Sequence, residues 1–446
     1  MGESRGLWTS RIGFILAAAG SAVGLGNIWR FSYVVGTNGG AAFVLIYLVI
    51  IAILGYPLMI TEITLGQKAQ KNAIGTFKDL APKTPWWITG ALGVLAGFVI
   101  LSFYSVVAGW AMAYFFKTLL GGLQTGTDFV GAFVGHISSA TEPIAWHAAF
   151  MILTLGIIAL GVTKGIDRSV RILMPALFVL LLILVIRAIS LPGSGAGLAF
   201  YLQPDFSEIT WNSILGAIGQ AFFSLSLGMG CMITYGSYMK NKEEVPLNAA
   251  SVVGIDVGVA FLAGFAIFPA VFALGFDPAA GAGLAFITLP AVFAQMPGGL
   301  IFGSIFFLLL TVAALTSSIS LLEVVVSWLI DEFKWNRVKA SVVIGGLIFL
   351  MGVPASLSLG AMEINIFGMA LFDMLDFLQE SILLPGGAIL TAIFAGYIYK
   401  AKTVRDLANE NAGSFKIGVW YDYLIRYVVP VGIGVVMIMG LIEKFS

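Results

Sequence analysis

Residues 20–27 read Gly-Ser-Ala-Val-Gly-Leu-Gly-Asn and lie in the middle of an apolar stretch, 12–36. In lipid an unpaired backbone group costs several kcal/mol, so a break at mid-span is tolerated only where protein or a watery cavity receives the freed groups. A second cluster, residues 223–230, reads Phe-Ser-Leu-Ser-Leu-Gly-Met-Gly and interrupts another apolar stretch, 211–239. Close helix packing through the glycines is the alternative. Two such clusters, both rich in polar side chains, favour two broken helices.

The composition is that of a membrane protein. Of 446 residues, 59% are hydrophobic and 10% are charged, against about 45–50% and 25% in soluble domains. So few charges cannot cover a solvated surface, which excludes soluble, disordered and collagen-like chains. The formal net charge is +0, so the chain has no basic footprint for nucleic acid. A single cysteine, Cys231, and two histidines, His136 and His147, provide neither an internal disulfide nor a structural zinc site.

Charge-free stretches of about 20 residues are long enough to cross a hydrocarbon core of ~30 Å. Eleven stretches are predicted to be spans: 12–36, 41–62, 87–116, 144–163, 170–188, 211–239, 249–276, 300–330, 339–355, 365–399 and 421–442. The segment 278–322 carries no charge and is too long for one span. Because residues 295–299 break it, we predict a lid-like loop followed by the eighth span.

The distribution of Lys and Arg predicts the orientation. With the N-terminus in the cytoplasm, all of the 23 Lys and Arg residues except Arg30, Lys117, Arg187 and Lys444 fall on the inner side, as the positive-inside rule requires. An odd number of spans then places the C-terminus outside. The first stretch is too long for a signal-peptide core and has no small-residue cleavage site, so it is predicted to stay as a helix. We expect a multi-pass protein of the inner (plasma) membrane.

The two broken spans are the first and the sixth, which is the spacing that two inverted five-helix repeats produce. We therefore predict an all-α integral membrane fold in which residues 1–446 form one transporter domain. Its first repeat comprises 7–190 and its inverted second repeat 209–400. The eleventh helix, 420–446, lies outside the repeats.

A broken span has the chemistry to bind a zwitterion and a cation. Backbone amides at the start of the outer half-helix, near Leu25 and Gly26, present a positive dipole end to a carboxylate. Carbonyls that end the inner half, near Ala22, accept from an ammonium group. Freed carbonyls also suit sodium, a hard cation that prefers oxygen ligands.

Six motifs carry a resemblance to a known family. They are GSAVGLGNIWRF at 20–31, NGG at 38–40, GQAFFSLSLGMG at 219–230, TYGSY at 234–238, FITLP at 286–290 and LTSSI at 315–319. In this order they resemble the neurotransmitter:sodium symporters, which include the bacterial leucine transporter. The resemblance implies the leucine-transporter fold and sodium-coupled symport of an amino acid through the lipid bilayer. A twelfth helix is missing, so dimer contacts through it are in doubt, and we expect a monomer to suffice for transport.

The resemblance implies two sodium sites. The first would use the Ala22 carbonyl, Asn27, Ser224, Asp256 and the substrate carboxylate. The second would use carbonyls of Gly20, Val23 and Ala313 with the hydroxyls of Thr316 and Ser317. Two alternatives stay open: Asp256 can be a protonated carboxyl bonded to a neighbour, and Thr and Ser in a helix commonly bond back to the preceding turn.

The same comparison bears on chloride. Chloride-dependent relatives hold an anion beside the first sodium, whereas chloride-independent ones supply fixed negative charge. Tyr47, Gln220 and Ser224 keep part of the chloride pattern, but Ala260 offers neither an acid nor a hydroxyl. We expect that chloride is not required, because Asp256 balances the sodium charge. Proton antiport through Asp256 is a further possibility.

The implied substrate pocket is lined by Ser21, Ala22, Leu25, Gly26, Ile100, Tyr104, Phe223, Ser224, Ser226, Met229, Ser317 and Leu321. We expect Tyr104 to bond the substrate carboxylate and to form a lid with Phe223. Monoamine carriers place an aspartate where this chain has Gly24, so the substrate should bring its own carboxylate. Apolar walls and the flexible Met229 favour hydrophobic or aromatic L-amino acids. Another small amino acid with a carboxylate is the alternative.

Charged residues inside spans need partners, and this predicts two gates. On the outer side Arg30 is expected to pair with Asp376, helped by Gln220, with Asp373 as the rival partner. Glu380 is expected only to pack helices or line the vestibule.

On the inner side Arg5 is expected to pair with Asp331, while Trp8, Ser237 and Tyr238 seal the vestibule. An ordinary interfacial salt bridge would have the same pattern. Glu62 and Glu323 are assigned no transport role.

Gly165 and Pro175 match a Gly-nine residues-Pro pattern of related carriers. Glycine is entropically costly in a helix and proline removes a backbone donor, so the start of the fifth span is weak. Local unwinding there would hydrate the second sodium. An ordinary loop glycine and a tolerated kink are the alternative.

Three other classes of protein compete with a transporter. A channel needs a continuous pore, often with rings of charge. A membrane enzyme is not favoured, because no histidine lies near a Ser or Cys candidate in the helices and no HExxH motif occurs. We therefore predict that the chain is not an enzyme. A non-transporting amino-acid sensor would keep the same pocket and stays open.

Overall fold

The computed structural model describes residues 6–279 and 281–445, and helices dominate them. Nine helices in these ranges are long and apolar enough to cross a membrane. They are Ala41–Ala69, Trp87–Leu119, Glu142–Ala159, Val162–Ile189, Val245–Ala273, Gly299–Phe333, Arg337–Leu357, Leu371–Ile398 and Trp420–Ile442. They coincide with nine of the predicted spans, and below the spans keep their predicted order as names.

The first span is broken as predicted. Its inner half, Arg11–Ala22, and its outer half, Gly26–Thr37, meet at an angle of 54°. Val23 ends the inner half in an extended conformation, ψ 105. The sixth span consists of Trp211–Ser224 and Cys231–Gly236, with residues 225–230 non-helical between them. Both breaks lie within the glycine clusters that predicted them.

One glycine of the sixth-span break is required by its surroundings. Gly228 has a positive φ of 79, and a Cβ there would collide with the Leu384 carbonyl of the tenth span. Only glycine combines this conformation with so close an approach. The break is thereby held against the tenth span.

Short helices lie between the spans. They are Ala73–Leu80, Phe129–Ile137, Ser194–Leu202, Thr288–Gln295 and Ala401–Asn409, with 3₁₀ turns at Phe206–Glu208 and Gly281–Leu284. The strands Asn365–Ile366 and Met369–Ala370 form an antiparallel hairpin before the tenth span. The predicted lid-like loop thus contains the helix Thr288–Gln295, and the eighth span begins only at Gly299.

The third and eighth spans form the centre of the molecule. Their most apolar windows are 78% and 83% buried, whereas that of the eleventh span is 17% buried. An apolar helix that is so little buried faces lipid. The eleventh span is therefore peripheral, and the broken first and sixth spans lie beside the central pair.

Several spans contain a wider, π-helical turn. These turns are Gly26–Arg30, Ile51–Gly55, Val162–Asp167, Gln379–Leu383, Phe394–Ile398 and Leu424–Val428. Such turns insert an extra residue into the helix and re-aim the side chains that follow, and they are frequent at functional sites. Four of them lie in the first, fifth and tenth spans, which carry candidate site residues.

Candidate functional site

Asn27, Ser224 and Asp256 come together from the first, sixth and seventh spans. The Asn27 amide donates to an Asp256 carboxylate oxygen at 2.7 Å and to the Ser224 hydroxyl at 3.0 Å. Ser224 in turn donates to both Asp256 oxygens, at 3.1 and 3.0 Å. These are three of the four residues predicted for the first sodium site.

Asp256 is 0% exposed, and in the described part of the chain its carboxylate contacts only the neutral donors Asn27 and Ser224. A buried carboxylate without a cationic partner is costly unless it is protonated or binds a cation. The cluster combines a carboxylate with amide and hydroxyl oxygens, which are the ligands that a hard cation prefers. Its donor set fits sodium.

A second oxygen cluster joins the first and eighth spans. The Val23 carbonyl accepts from Thr316 at 3.3 Å and from Ser317 at 3.3 Å. Thr316 also donates to the Ala313 carbonyl at 2.9 Å, and the backbone of Gly20 lies against Thr316. The five residues predicted for the second sodium site are thus adjacent. Since Thr316 bonds both back to its own helix and across to Val23, the two alternatives for this hydroxyl coexist.

A small cavity lies between the two clusters. Its volume is ≈ 30 Å³, room for about two waters rather than for an amino-acid side chain. Ten of the twelve residues predicted for the substrate pocket line it, and Gly24 is an added lining residue: Ser21, Ala22, Gly24, Gly26, Ile100, Tyr104, Phe223, Ser226, Met229, Ser317 and Leu321. Ser224 belongs to the first oxygen cluster, and Leu25 lines the neighbouring cavity.

At the first-span break one backbone donor and one backbone acceptor bond to side chains. The Leu25 amide donates to the Tyr104 hydroxyl at 3.3 Å. The Ser21 carbonyl accepts from the hydroxyls of Ser226 at 2.8 Å and Ser317 at 3.1 Å. These long or side-chain bonds are ones that a substrate carboxylate and ammonium group can replace.

Phe223 divides this cavity from a second one on the outer side. Gly26, Tyr104 and Phe223 line both cavities, and the outer cavity has a volume of ≈ 90 Å³. The Arg30 guanidinium lies 5.0 Å from the centre of the Phe223 ring. Phe223 therefore acts as the floor of the outer cavity and is held there by Arg30.

The outer ion pair differs from the expectation. Arg30 pairs with Glu380, not with Asp376 or Asp373. Asp376 lines the same cavity but accepts from Gln379 at 3.2 Å, and Asp373 is exposed. Glu380 lies one turn beyond Asp376, in the π-helical turn Gln379–Leu383, and its side chain is one methylene group longer than that of an aspartate.

Gln220 is buried and contacts the outer half of the first span. Its amide donates to the Gly26 carbonyl at 2.8 Å. Its Oε1 and the Tyr47 hydroxyl are buried without a hydrogen-bond partner in the described residues. Ala260, one turn after Asp256, is 1% exposed.

On the inner side Trp8 closes over the sixth span. Its backbone amide donates to the Tyr238 carbonyl at 3.1 Å and its indole to the Tyr235 carbonyl at 2.9 Å. Ser237, between them, is 2% exposed. The predicted partner Arg5 lies outside the described residues; Asp331 accepts from the backbone and side chain of Asn72, both at 2.9 Å.

Sequence reasoning missed a charged pair beside this closure. Tyr238 donates to Glu323 at 2.5 Å, and Glu323 also pairs with Arg337 at 2.7 and 2.9 Å. Glu323 is 0% exposed and was assigned no transport role. A carboxylate in mid-span signals a buried partner, but the partner, Arg337, lies at the start of the next span.

Comparison with known proteins gives consistent matches over the whole chain. The model of the sodium:neurotransmitter symporter family matches residues 5–127 and 134–446. An uncharacterized sodium-dependent transporter of Bacillus subtilis is 43% identical over 444 residues, 98% of each chain. One of Haemophilus influenzae is 38% identical over 456 residues, 98% of this chain and 99% of that one. The crystal structure of MhsT in complex with L-phenylalanine is 47% identical, with a TM-score of 0.90 over 98% of this chain and 100% of that chain.

Proposed function

Because this chain belongs to the sodium:neurotransmitter symporter family and is a sodium-dependent symporter, we propose that it carries hydrophobic or aromatic L-amino acids together with two sodium ions by alternating access. The predicted family and the leucine-transporter-type helical fold are confirmed. Members of the family are transporters and not enzymes.

The observation that carries the proposal is the position of Asp256 beside the broken first span. Sodium at the Asn27–Ser224–Asp256 cluster would neutralise a buried carboxylate whose hydrogen-bond partners, among the residues that the structure describes, are neutral donors. A substrate carboxylate would reach the same ion and the Leu25 amide, while the substrate ammonium group would donate to the Ser21 and Ala22 carbonyls. Sodium and a zwitterion then stabilise each other, which is the physical basis of coupling.

Gly24 supports a substrate that brings its own carboxylate. A Cβ at this position would collide with the Ser317 hydroxyl and would lie 3.0 Å from the Tyr104 hydroxyl. The space over Gly24 therefore has no room for an acidic side chain on the first span. A carboxylate near Tyr104 has to come from the substrate.

The remaining walls support an apolar side chain. Ile100, Met229 and Leu321 line the cavity away from the break, and MhsT, at 47% identity, binds L-phenylalanine. Because the cavity is only ≈ 30 Å³, such a side chain has to displace the rings and chains that fill it. Met229 and the half-buried Phe223 are suited to this, since methionine has three rotatable bonds and Phe223 borders the outer cavity.

We place the second sodium at Val23, Thr316 and Ser317, and we assign chloride no required role because Asp256 already supplies the negative charge. The N-terminus is assigned to the cytoplasm and the C-terminus to the outside of the inner (plasma) membrane, from the Lys and Arg distribution. One copy of the chain holds both oxygen clusters and the cavity, so a monomer suffices.

The test is uptake of labelled L-amino acids into proteoliposomes under an inward sodium gradient or an equal potassium gradient, each with and without chloride. We expect concentrative uptake of phenylalanine, leucine or a close analogue under the sodium gradient but not under the potassium gradient. The uptake should be the same with and without chloride. Sodium-dependent binding without uptake would mean a sensor. Uptake of small polar amino acids only would overturn the assignment of the substrate. Uptake that requires chloride would overturn the assignment of the balancing charge to Asp256.

A further inference from the structure

The first residues of the described chain lie against the π-helical turn Val162–Asp167 that begins the fifth span. The Thr9 hydroxyl donates to the Asp167 carboxylate. Thr163 donates to the Leu7 carbonyl at 3.4 Å. Gly6 packs on Val162, where an added Cβ would lie 3.3 Å from the Val162 side chain. The inner half of the first span and the start of the fifth span thus share one contact surface.

Asp167 is the centre of this contact. It is 2% exposed although Thr9 beside it is exposed. Arg171, one turn later, donates to Asp167 at 3.0 Å, to Thr9 at 2.8 Å and to Ser10 at 2.7 Å. Ser10 is the N-cap of the first span and accepts from the Gly13 amide at 3.1 Å. Arg171 therefore bonds the cap from which the first span starts, and Asp167 bonds Thr9, the residue before that cap.

The fit between the two elements is close. A Cβ at Gly13 would collide with the Asp167 carboxylate and would lie 3.0 Å from the Arg171 guanidinium. Glycine at position 13 is what lets the buried carboxylate reach the first span. A longer or displaced acid cannot occupy the same place without moving one of the two helices.

The turn that carries Asp167 is itself a weak piece of helix. It follows Gly161, with φ 87, and contains Gly165, where a Cβ would collide with the Ile157 carbonyl. Pro175 interrupts the hydrogen bonding of the helix that follows. Unwinding of residues 162–167 would carry Asp167 away from Thr9 and Gly13, since Asp167 is the last residue of the turn.

We propose that Asp167, with Arg171, is a positioning residue that couples the start of the fifth span to the inner half of the first span, so that the two open inward together. This rests on the alternating access of the proposed function. Any inward opening has to separate residues 6–13 from the elements that cover them. While Asp167 bonds Thr9, the inner half of the first span stays packed against the fifth span. Unwinding of Val162–Asp167 breaks this contact and allows the inner half to move.

The experiment measures thiol modification at two reporter positions in purified, detergent-solubilised protein with Cys231→Ser as the background. Ser237→Cys reports on the inner vestibule and Val107→Cys on the outer cavity. The variants are Asp167→Asn and Gly13→Ala. Gly13→Ala disrupts the contact between Asp167 and the first span but keeps the charge of Asp167. Arg168→Ala is the matched control, because Arg168 is an exposed charge on the same helix. Melting curves verify that each variant folds.

In sodium we expect Asp167→Asn and Gly13→Ala each to raise the modification rate at Ser237→Cys about tenfold, the population change that follows the loss of a hydrogen bond to a charged group. The rate at Val107→Cys should fall, because molecules that open inward close outward. Arg168→Ala should alter neither rate. General loosening of the fold would raise both rates, so the opposite signs identify a coupling role.

Equal rates in Asp167→Asn and Arg168→Ala, or a rise at both reporters, would overturn the proposal. The failure of the proposed function has a different signature: the reporters of the otherwise unaltered protein would not respond to replacement of potassium by sodium. In that case the modification rates of the variants, measured in potassium alone, still decide whether Asp167 holds the first span against the fifth span.

Discussion

The Asn27 side chain donates to the Asp256 carboxylate at 2.7 Å. This bond joins the break of the first span to the seventh span, and Ser224 extends it to the break of the sixth span. The two breaks and the buried charge therefore form one unit. A cation that binds there changes the bonding of both broken helices at once.

Replacing Asp256 tests the first sodium site. We expect Asp256→Asn to weaken sodium by more than tenfold, since an ionised ligand is lost from a buried site, and to leave the fold intact because an amide can still bond Asn27 and Ser224. Sodium titration of substrate binding measures this. Asp373→Asn, an exposed acid, is the matched control; an unchanged sodium affinity in Asp256→Asn would contradict the assignment.

Removing both hydroxyls of the second cluster should abolish sodium-dependent binding. Thr316→Val with Ser317→Ala leaves the Val23 carbonyl without its side-chain partners and removes two oxygen ligands. Ser318→Ala is the control, because Ser318 faces Thr154 instead, at 2.9 Å. Scintillation proximity binding with labelled amino acid is the measurement, and full sodium-dependent binding in the double variant would refute the site.

Gly24→Ala should block substrate binding in a folded protein, because the added methyl group collides with Ser317 and approaches Tyr104 at 3.0 Å. A Cβ at Gly258, on the seventh span, meets nothing within 4 Å, so Gly258→Ala is the matched control. Equilibrium binding and a melting curve compare the two. Unaltered affinity in Gly24→Ala would place the substrate elsewhere.

Glu380→Gln should loosen the outer gate. Loss of the Arg30 ion pair is expected to speed substrate dissociation severalfold rather than to abolish transport, since the Glu380 side chain is 41% exposed and exposed pairs contribute little. Asp376→Asn should have the smaller effect. Dissociation of pre-bound label into excess unlabelled amino acid measures this, and a larger effect in Asp376→Asn would restore the partner expected from sequence.

The outer helix Phe129–Ile137 carries a titratable group that should make stability depend on pH. Burial and the nearby Lys117 ammonium lower the pKa of His136 from 6.5 to about 4. The unfolded chain thus binds a proton at a higher pH than the folded protein, so stability is present above pH 6.5 and is lost as the pH falls toward 4. His136→Gln should flatten the fall in melting temperature over this range. An equally steep fall would mean that other groups account for it.

Much of the site could be predicted because it is built from the breaks themselves. Glycine clusters in two spans predicted where the helices interrupt, and the carbonyls and amides of a break belong to the residues that form it. The breaks pointed to the backbone near Ala22, Leu25 and Gly26, whereas Ser21, Val23 and Asn27 were implied by the family resemblance. The pairings of Glu380 and Arg337 could not be predicted, because the sequence of a continuous helix shows which residues carry charge but not which direction each side chain faces.

The sequence by itself determined the membrane class, the order of the apolar spans and the two breaks. These follow from hydropathy and from backbone groups that lipid cannot satisfy. Only the tertiary structure decided which carboxylate meets Arg30, that Glu323 joins Tyr238 to Arg337, and that Asp167 reaches Thr9. Such pairings depend on helix rotation and on π-helical turns, which shift a side chain by part of a turn without changing the hydropathy of the span.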